Sequence, residues 1–71
     1  MNTVIKLYDE VALLEDIPKQ NLLRGQVGTV VEELAPNVFE VEFSDAQGHT
    51  YAMRPLRAEQ LMVLRYEPAT P

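Results

Sequence analysis

The sequence predicts an all-β domain: a small, strongly bent barrel of about five short antiparallel strands, with one short helical turn before the last strand. Three observations carry that expectation. Phe39, Val41 and Phe43 alternate with Glu40 and Glu42, the period of two that places one strand face in a core and the other in water. Runs rich in β-branched residues recur between turn residues at the short spacing of an all-β fold. No segment carries a helical pattern longer than about one turn, the residues 56 to 60.

Each element follows from its residues. The first apolar run, Val11-Ala12-Leu13-Leu14, follows Tyr8-Asp9-Glu10 and is closed by Asp16-Ile17-Pro18. Residues 21 to 26 form a loop expected to bury its leucines, Leu22 and Leu23. Residues 27 to 34 (VGTVVEEL) are β-branched and form the second strand, with Val27 and Val30 expected to point inward. Gly25 and Gly28 stand at its start, a spacing that permits the bulge or tight bend that barrel closure needs. Pro36 fixes φ and Asn37 tolerates the left-handed conformation, so Ala35-Pro36-Asn37 is a turn.

Val38 to Phe43 is the third strand, and residues 44 to 49 (SDAQGH) are a polar hairpin loop in which Gly48 supplies a positive φ. Thr50 to Arg54 returns as the fourth strand, and Pro55 ends it or marks an edge. Residues 61 to 65 (LMVLR) are the last strand. The residues expected to determine the fold are Gly25, Gly28, Val30, Phe39, Val41 and Phe43, with Met53 and Met62 as core fillers. Tyr8, Tyr51 and Tyr66 belong to a core rim or an interface. The domain spans residues 1–66, and residues 67–71 (EPATP) form a frayed, proline-containing tail.

Composition narrows the chemistry. A chain of 71 residues makes one domain with a simple core. It has no cysteine, which removes disulfides, thiol chemistry and thiolate metal sites. No apolar run approaches the roughly 20 residues that span a bilayer, and the N-terminal residues MNTVIK lack the pattern of a signal peptide, so a cytoplasmic protein without membrane contact is expected. Six Lys and Arg against 11 Asp and Glu give a net charge of −5, which argues against non-specific nucleic-acid binding and suits a basic partner.

No catalytic constellation can be assembled. The single histidine, His49, lies at a hairpin tip near Asp45, where a hydrogen bond across the loop is expected rather than a general base with a tuned pKa. Scattered carboxylates have no metal-ligand spacing, and Gly25-Gln26-Val27-Gly28 lacks the third glycine and the lysine of nucleotide loops. Neither a metal nor a cofactor is expected, and the chain reads as non-enzymatic.

The exposed feature with the most chemistry is acidic. Glu40 and Glu42 point outward together, and Glu32 or Glu33 on the neighbouring strand lies close to them. Such a face either keeps a β surface soluble or docks a basic partner. Arg54, Arg57 and Arg65, with Tyr51 and Tyr66, would be the phosphate and stacking contacts of a nucleic-acid module, but pairing of these arginines with Glu59 and Glu67 fits the charge balance better.

The strings LYDEVALLEDIP (residues 7 to 18), LRGQVGTVVE (residues 23 to 32), Phe39-Glu40-Val41-Glu42-Phe43 and QLMVL (residues 60 to 64) resemble a family of short bacterial proteins. That family is classed as a domain of unknown function, number forty-nine twenty-six in its series, and the resemblance covers about Val4 to Arg65. It implies an SH3-like barrel but no established activity and no defined site residues. Its members are often encoded beside a small toxin-like protein, which implies an antitoxin-like or immunity-like role. The segment from Gly25 to Glu32 also resembles the glycine-valine strand of KOW modules, which are usually basic where this chain is acidic.

The expected function is therefore a non-enzymatic, acidic, protein-binding module. Its partner would be a small basic toxin-like protein, docked through Glu32, Glu33, Glu40 and Glu42. The alternatives are a structural accessory subunit of a larger complex and, behind it, a KOW-like nucleic-acid-binding module.

Overall fold

The computed structural model describes residues 4–69. The segment expected to lack a signal-peptide pattern therefore lies partly outside the described residues, as does the end of the tail. Glu67 to Ala69 carry no strand or helix.

Five antiparallel strands form one sheet: β1 (Glu10–Leu13), β2 (Val27–Ala35), β3 (Val38–Ser44), β4 (Thr50–Arg57) and β5 (Leu61–Val63). They run in the spatial order β4-β3-β2-β1-β5. Two 3₁₀ turns, Pro18–Gln20 and Ala58–Gln60, are the only helical pieces among the described residues. The order explains why the sheet curls. β4 and β5 are its two edges, yet only Ala58–Gln60 separates them in the chain. A flat sheet would hold those edges about 19 Å apart, four strand spacings. Three residues of 3₁₀ turn advance about 6 Å. The sheet must roll until its edges approach, an arrangement compatible with an SH3-like barrel.

The interior of the roll is apolar. Val11, Leu13, Leu22, Val30, Phe39, Val41, Phe43, Ala52, Leu56 and Leu61 form a single buried cluster, with Ile5, Ile17, Ala58 and Val63 packed against it. Phe39, Val41 and Phe43 are buried as their alternation predicts. Gln60 is the one buried polar residue among those described, and it fastens the second 3₁₀ turn by accepting the Arg57 N–H at 2.8 Å.

Several expectations are corrected. Val27 does not point inward: it is 40% exposed, whereas Gly28 and Val30 are buried. Gly28 pairs with both Val11 and Phe43 on the inner face, so its neighbour Val27 must turn out. Gly28 also sits at no bulge. A Cβ there would lie 2.6 Å from Val41 Cγ1 and 2.8 Å from the Glu42 carbonyl oxygen, so only glycine lets β3 approach this closely. The register shifts come later in β2, between Val30 and Glu32 and between Glu33 and Ala35. Gly25, with φ +91°, does make the expected bend.

Met53 and Met62 are not core fillers. They are 42% and 49% exposed, because the pairs Phe43–Ala52 and Leu13–Leu61 place their neighbours inside. Leu22 is buried, but Leu23 is 60% exposed. The helical turn expected over residues 56 to 60 is confined to Ala58–Gln60, and Leu56 and Arg57 still belong to β4. That strand passes through Pro55, which an edge strand tolerates because half its N–H groups face no neighbour. The last strand stops at Val63 rather than Arg65, although the Leu64 N–H still reaches the Glu10 carbonyl at 2.9 Å.

Candidate protein-docking face

The register of β2, β3 and β4 decides which carboxylates share a face. Glu42 stands between Thr29 and Met53, and Glu40 between Glu32 and Pro55. Glu32, Glu40 and Glu42 therefore occupy the outer face of the roll, opposite Phe39, Val41 and Phe43. Glu10 joins them, because it pairs with Thr29 in the same row as Glu42. The extra residue Val31, between the pairs Val30–Val41 and Glu32–Glu40, reverses the alternation of β2. As a result Glu33 pairs with Phe39 and leaves the acidic face for the opposite side. The structure thus brings together three of the four expected glutamates and separates the fourth.

These carboxylates form no ion pair among the described residues. His49 Nδ1 lies 3.6 Å from Asp45 Oδ2 and Arg57 Nε pairs with Glu59 Oε1 at 2.6 Å. Arg57 shares the outer face by register, but its guanidinium is taken by Glu59, and neither contact includes Glu32, Glu40 or Glu42. Glu40 is half-buried between its two neighbouring strands, and its Oε1 is shut from water with no hydrogen-bond donor. Beside this row lies a shallow depression of about 200 Å³ whose rim carries Glu10, Glu42 and Asp45. Sequence reasoning missed Glu10 and Asp45 here. The alternation of Glu10 with the apolar residue Val11 would have placed Glu10 outward, but only strand pairing sets it beside Glu42.

The hairpin loop behaves as its residues suggest. Asp45 Oδ1 accepts the N–H groups of Gln47 and His49, each at 2.9 Å, and Gly48 takes φ +85°. The His49 side chain is 81% exposed. Among the described residues no group of three or more His, Asp or Glu side chains is arranged to hold a metal ion. The arginines do not gather. Arg54 and Arg57 fall on opposite faces of β4 by register, Arg54 donates to the Met53 carbonyl, and Arg57 donates to Glu59. The hydrogen bond from Arg57 holds the Glu59 carboxyl below its ordinary pKa.

On the other side of the roll a groove of about 690 Å³ with a mixed polar and apolar lining opens between β5, the second 3₁₀ turn and the start of β3. Ile5, Phe39, Leu61 and Val63 line it, and Glu33 and Glu59 stand in its wall. Tyr8 and Tyr66 are both largely exposed. Tyr8 holds φ +71°, where a bulky side chain is strained, while its N–H donates to the Val30 carbonyl at 2.7 Å. Desolvation, then the influence of the Glu10 carboxylate, raises the Tyr66 phenol above its ordinary value.

Residues 7–63 match the family model described as Domain of unknown function (DUF4926), which is most of the chain. No curated protein and no solved structure matches the sequence. No helix among the described residues is long and apolar enough to cross a membrane. The chain belongs to the DUF4926 family.

Proposed function

We propose that this DUF4926 member is a non-enzymatic protein-binding module whose outer acidic face docks a basic protein. One observation carries the reading: Glu32, Glu40 and Glu42 share a face and none of them is ion-paired among the described residues, the Arg57 of that face being taken by Glu59. Like charges opposite one another cost a β-sheet a few tenths of a kcal/mol to about 1 kcal/mol. A partner that brings Lys or Arg side chains removes that repulsion, so it gains affinity from a cost the free protein already carries. Within this reading the partner is a small basic protein of toxin-like type, and the chain acts in the manner of an antitoxin or immunity protein inside the cell.

The test is affinity purification at low salt from the native cells, run in parallel with the Glu32→Gln, Glu40→Gln, Glu42→Gln triple variant. A small basic protein in equal stoichiometry, lost in the triple variant and released by moderate salt, is the expected result. Screening over a Debye length of about 8 Å at physiological salt makes that release measurable. Retention by the triple variant at unchanged salt dependence would sink the acidic-face reading.

A second reading, accessory subunit of a larger complex, is favoured by the apolar side chains Val27, Met53 and Met62 exposed on the outer side of the sheet. It expects recovery inside a large assembly through an apolar interface insensitive to salt.

A further inference from the structure

The outer edge of β5 faces this groove, and its backbone is set up to accept another strand. Between β1 and β5 the N–H of Leu14 reaches the Gln60 carbonyl and the N–H of Leu64 reaches the Glu10 carbonyl, each at 2.9 Å. The register Val11–Val63, Ala12–Met62, Leu13–Leu61 lies between these two bonds. In an antiparallel ladder, hydrogen-bonded and non-bonded pairs alternate. Met62 therefore spends its backbone groups on β1, while Leu61 and Val63 turn theirs away from it. The Leu61 N–H is taken by the Ala58 carbonyl of the second 3₁₀ turn. Among the described residues the Leu61 carbonyl and both backbone groups of Val63 have no backbone partner, and no backbone hydrogen bond joins Val4 or Ile5 to them.

The other edge is less suited to pairing. β4 carries Pro55 and a register shift beside Ser44, two features that blunt an exposed strand. The β5 edge has neither, and Leu61 and Val63 place side chains in the wall of the groove next to Ile5 and Phe39. An extended segment laid against β5 would gain main-chain hydrogen bonds and bury every second side chain in that groove.

Charge selects among occupants. Of the two carboxylates that line the groove, Glu59 is already paired with Arg57, whereas Glu33 has no ion-pair partner among the described residues; no Lys or Arg lines the groove, and the chain as a whole carries −5. A second copy would bring acid against acid. We propose that the β5 edge and its groove take, by strand addition, an extended segment of a partner protein in which apolar residues alternate with Lys or Arg. This site lies on the opposite side of the sheet from the outer acidic face and does not depend on that face being functional.

The test uses the full chain and a dodecapeptide phage library. One enriched peptide is then synthesised and mapped by amide chemical shifts on labelled protein. Enrichment of apolar residues alternating with Lys or Arg is expected, with saturable shifts at Leu61, Val63, Phe39 and Glu33. N-methylation of the peptide residue facing Val63 should weaken binding about three- to tenfold, the worth of one edge hydrogen bond. Glu33→Lys should weaken it as well, and the Glu32, Glu40, Glu42 triple Gln variant should bind as the parent does. No enrichment, shifts confined to the outer acidic face, or indifference to N-methylation would each overturn the proposal. So would a dimer of the free chain in sedimentation with the β5 amides at its interface.

Discussion

Glu32 and Glu40 stand directly opposite each other across β2 and β3, and among the described residues neither is ion-paired. Pro55 flanks Glu40 on its other side and offers no N–H. The pair is thus repulsive by construction, on a strand whose opposite face is the core.

Relieving that repulsion should stabilise the free protein. Glu32→Gln places an amide donor beside Glu40 and removes one of the two charges. Its urea midpoint is expected to rise by the equivalent of about 0.2–1 kcal/mol, most visibly at low salt. A lower midpoint at all salt concentrations would mean that the Glu32 carboxylate is stabilising where it stands.

Gly28 should be the least replaceable glycine. Its absent Cβ would meet Val41 Cγ1 at 2.6 Å, the Glu42 carbonyl oxygen at 2.8 Å and Phe43 Cδ1 at 3.1 Å. Gly28→Ala has to push β2 from β3 and is expected to cost about 1–3 kcal/mol in chemical denaturation. At Gly25 and Gly48 an added Cβ meets nothing within 4 Å, so only their positive φ opposes substitution. Gly48→Asn should be nearly silent, since asparagine tolerates that conformation.

Tyr8 offers the converse case. It holds φ +71° although its side chain is largely exposed. The left-handed conformation costs a bulky L-residue about 1–2 kcal/mol. Tyr8→Asn keeps the N–H that donates to Val30, loses little packing, and should raise thermal stability by several degrees. A fall in the melting temperature would show that the tyrosine ring contributes more than its backbone costs.

The Tyr66 phenol should titrate above its ordinary value of 10.0, with desolvation the first cause and the Glu10 carboxylate the second. Because the folded pKa is raised, the folded state holds this proton more tightly than the unfolded chain. The associated stability is complete below about pH 10 and is lost as pH rises through the folded value. Resonances of the Tyr66 ring followed by pH should show that midpoint, and Glu10→Gln should move it down towards 10. An unmoved Tyr66 midpoint would assign the whole shift to desolvation.

Much of this architecture is legible along the chain. The alternation of Phe39, Val41 and Phe43 with Glu40 and Glu42 identifies a half-buried strand because a period of two admits one solution. Asn37, with φ +64°, and Gly48, with φ +85°, mark their turns because few other residues adopt those angles without strain. These are local properties, set by sterics and by which side of a strand is apolar.

The faces of β2 and β4 are not local properties. Glu33 leaves the acidic face because Val31 is an extra residue opposite β3, a pairing that the residues 31 to 33 do not reveal by themselves. Val27 turns outward because Gly28 is the point where β3 comes close, and Met53 turns outward because the hairpin shifts register beside Ser44. The free edge of β5 and its groove exist only because a three-residue turn joins the two edges of the sheet. Residue order by itself determined where strands and turns fall and that the outer face is acidic. Which glutamates share that face, and which backbone groups remain open, was decided by tertiary pairing, since one extra residue on one strand inverts every side chain beyond it.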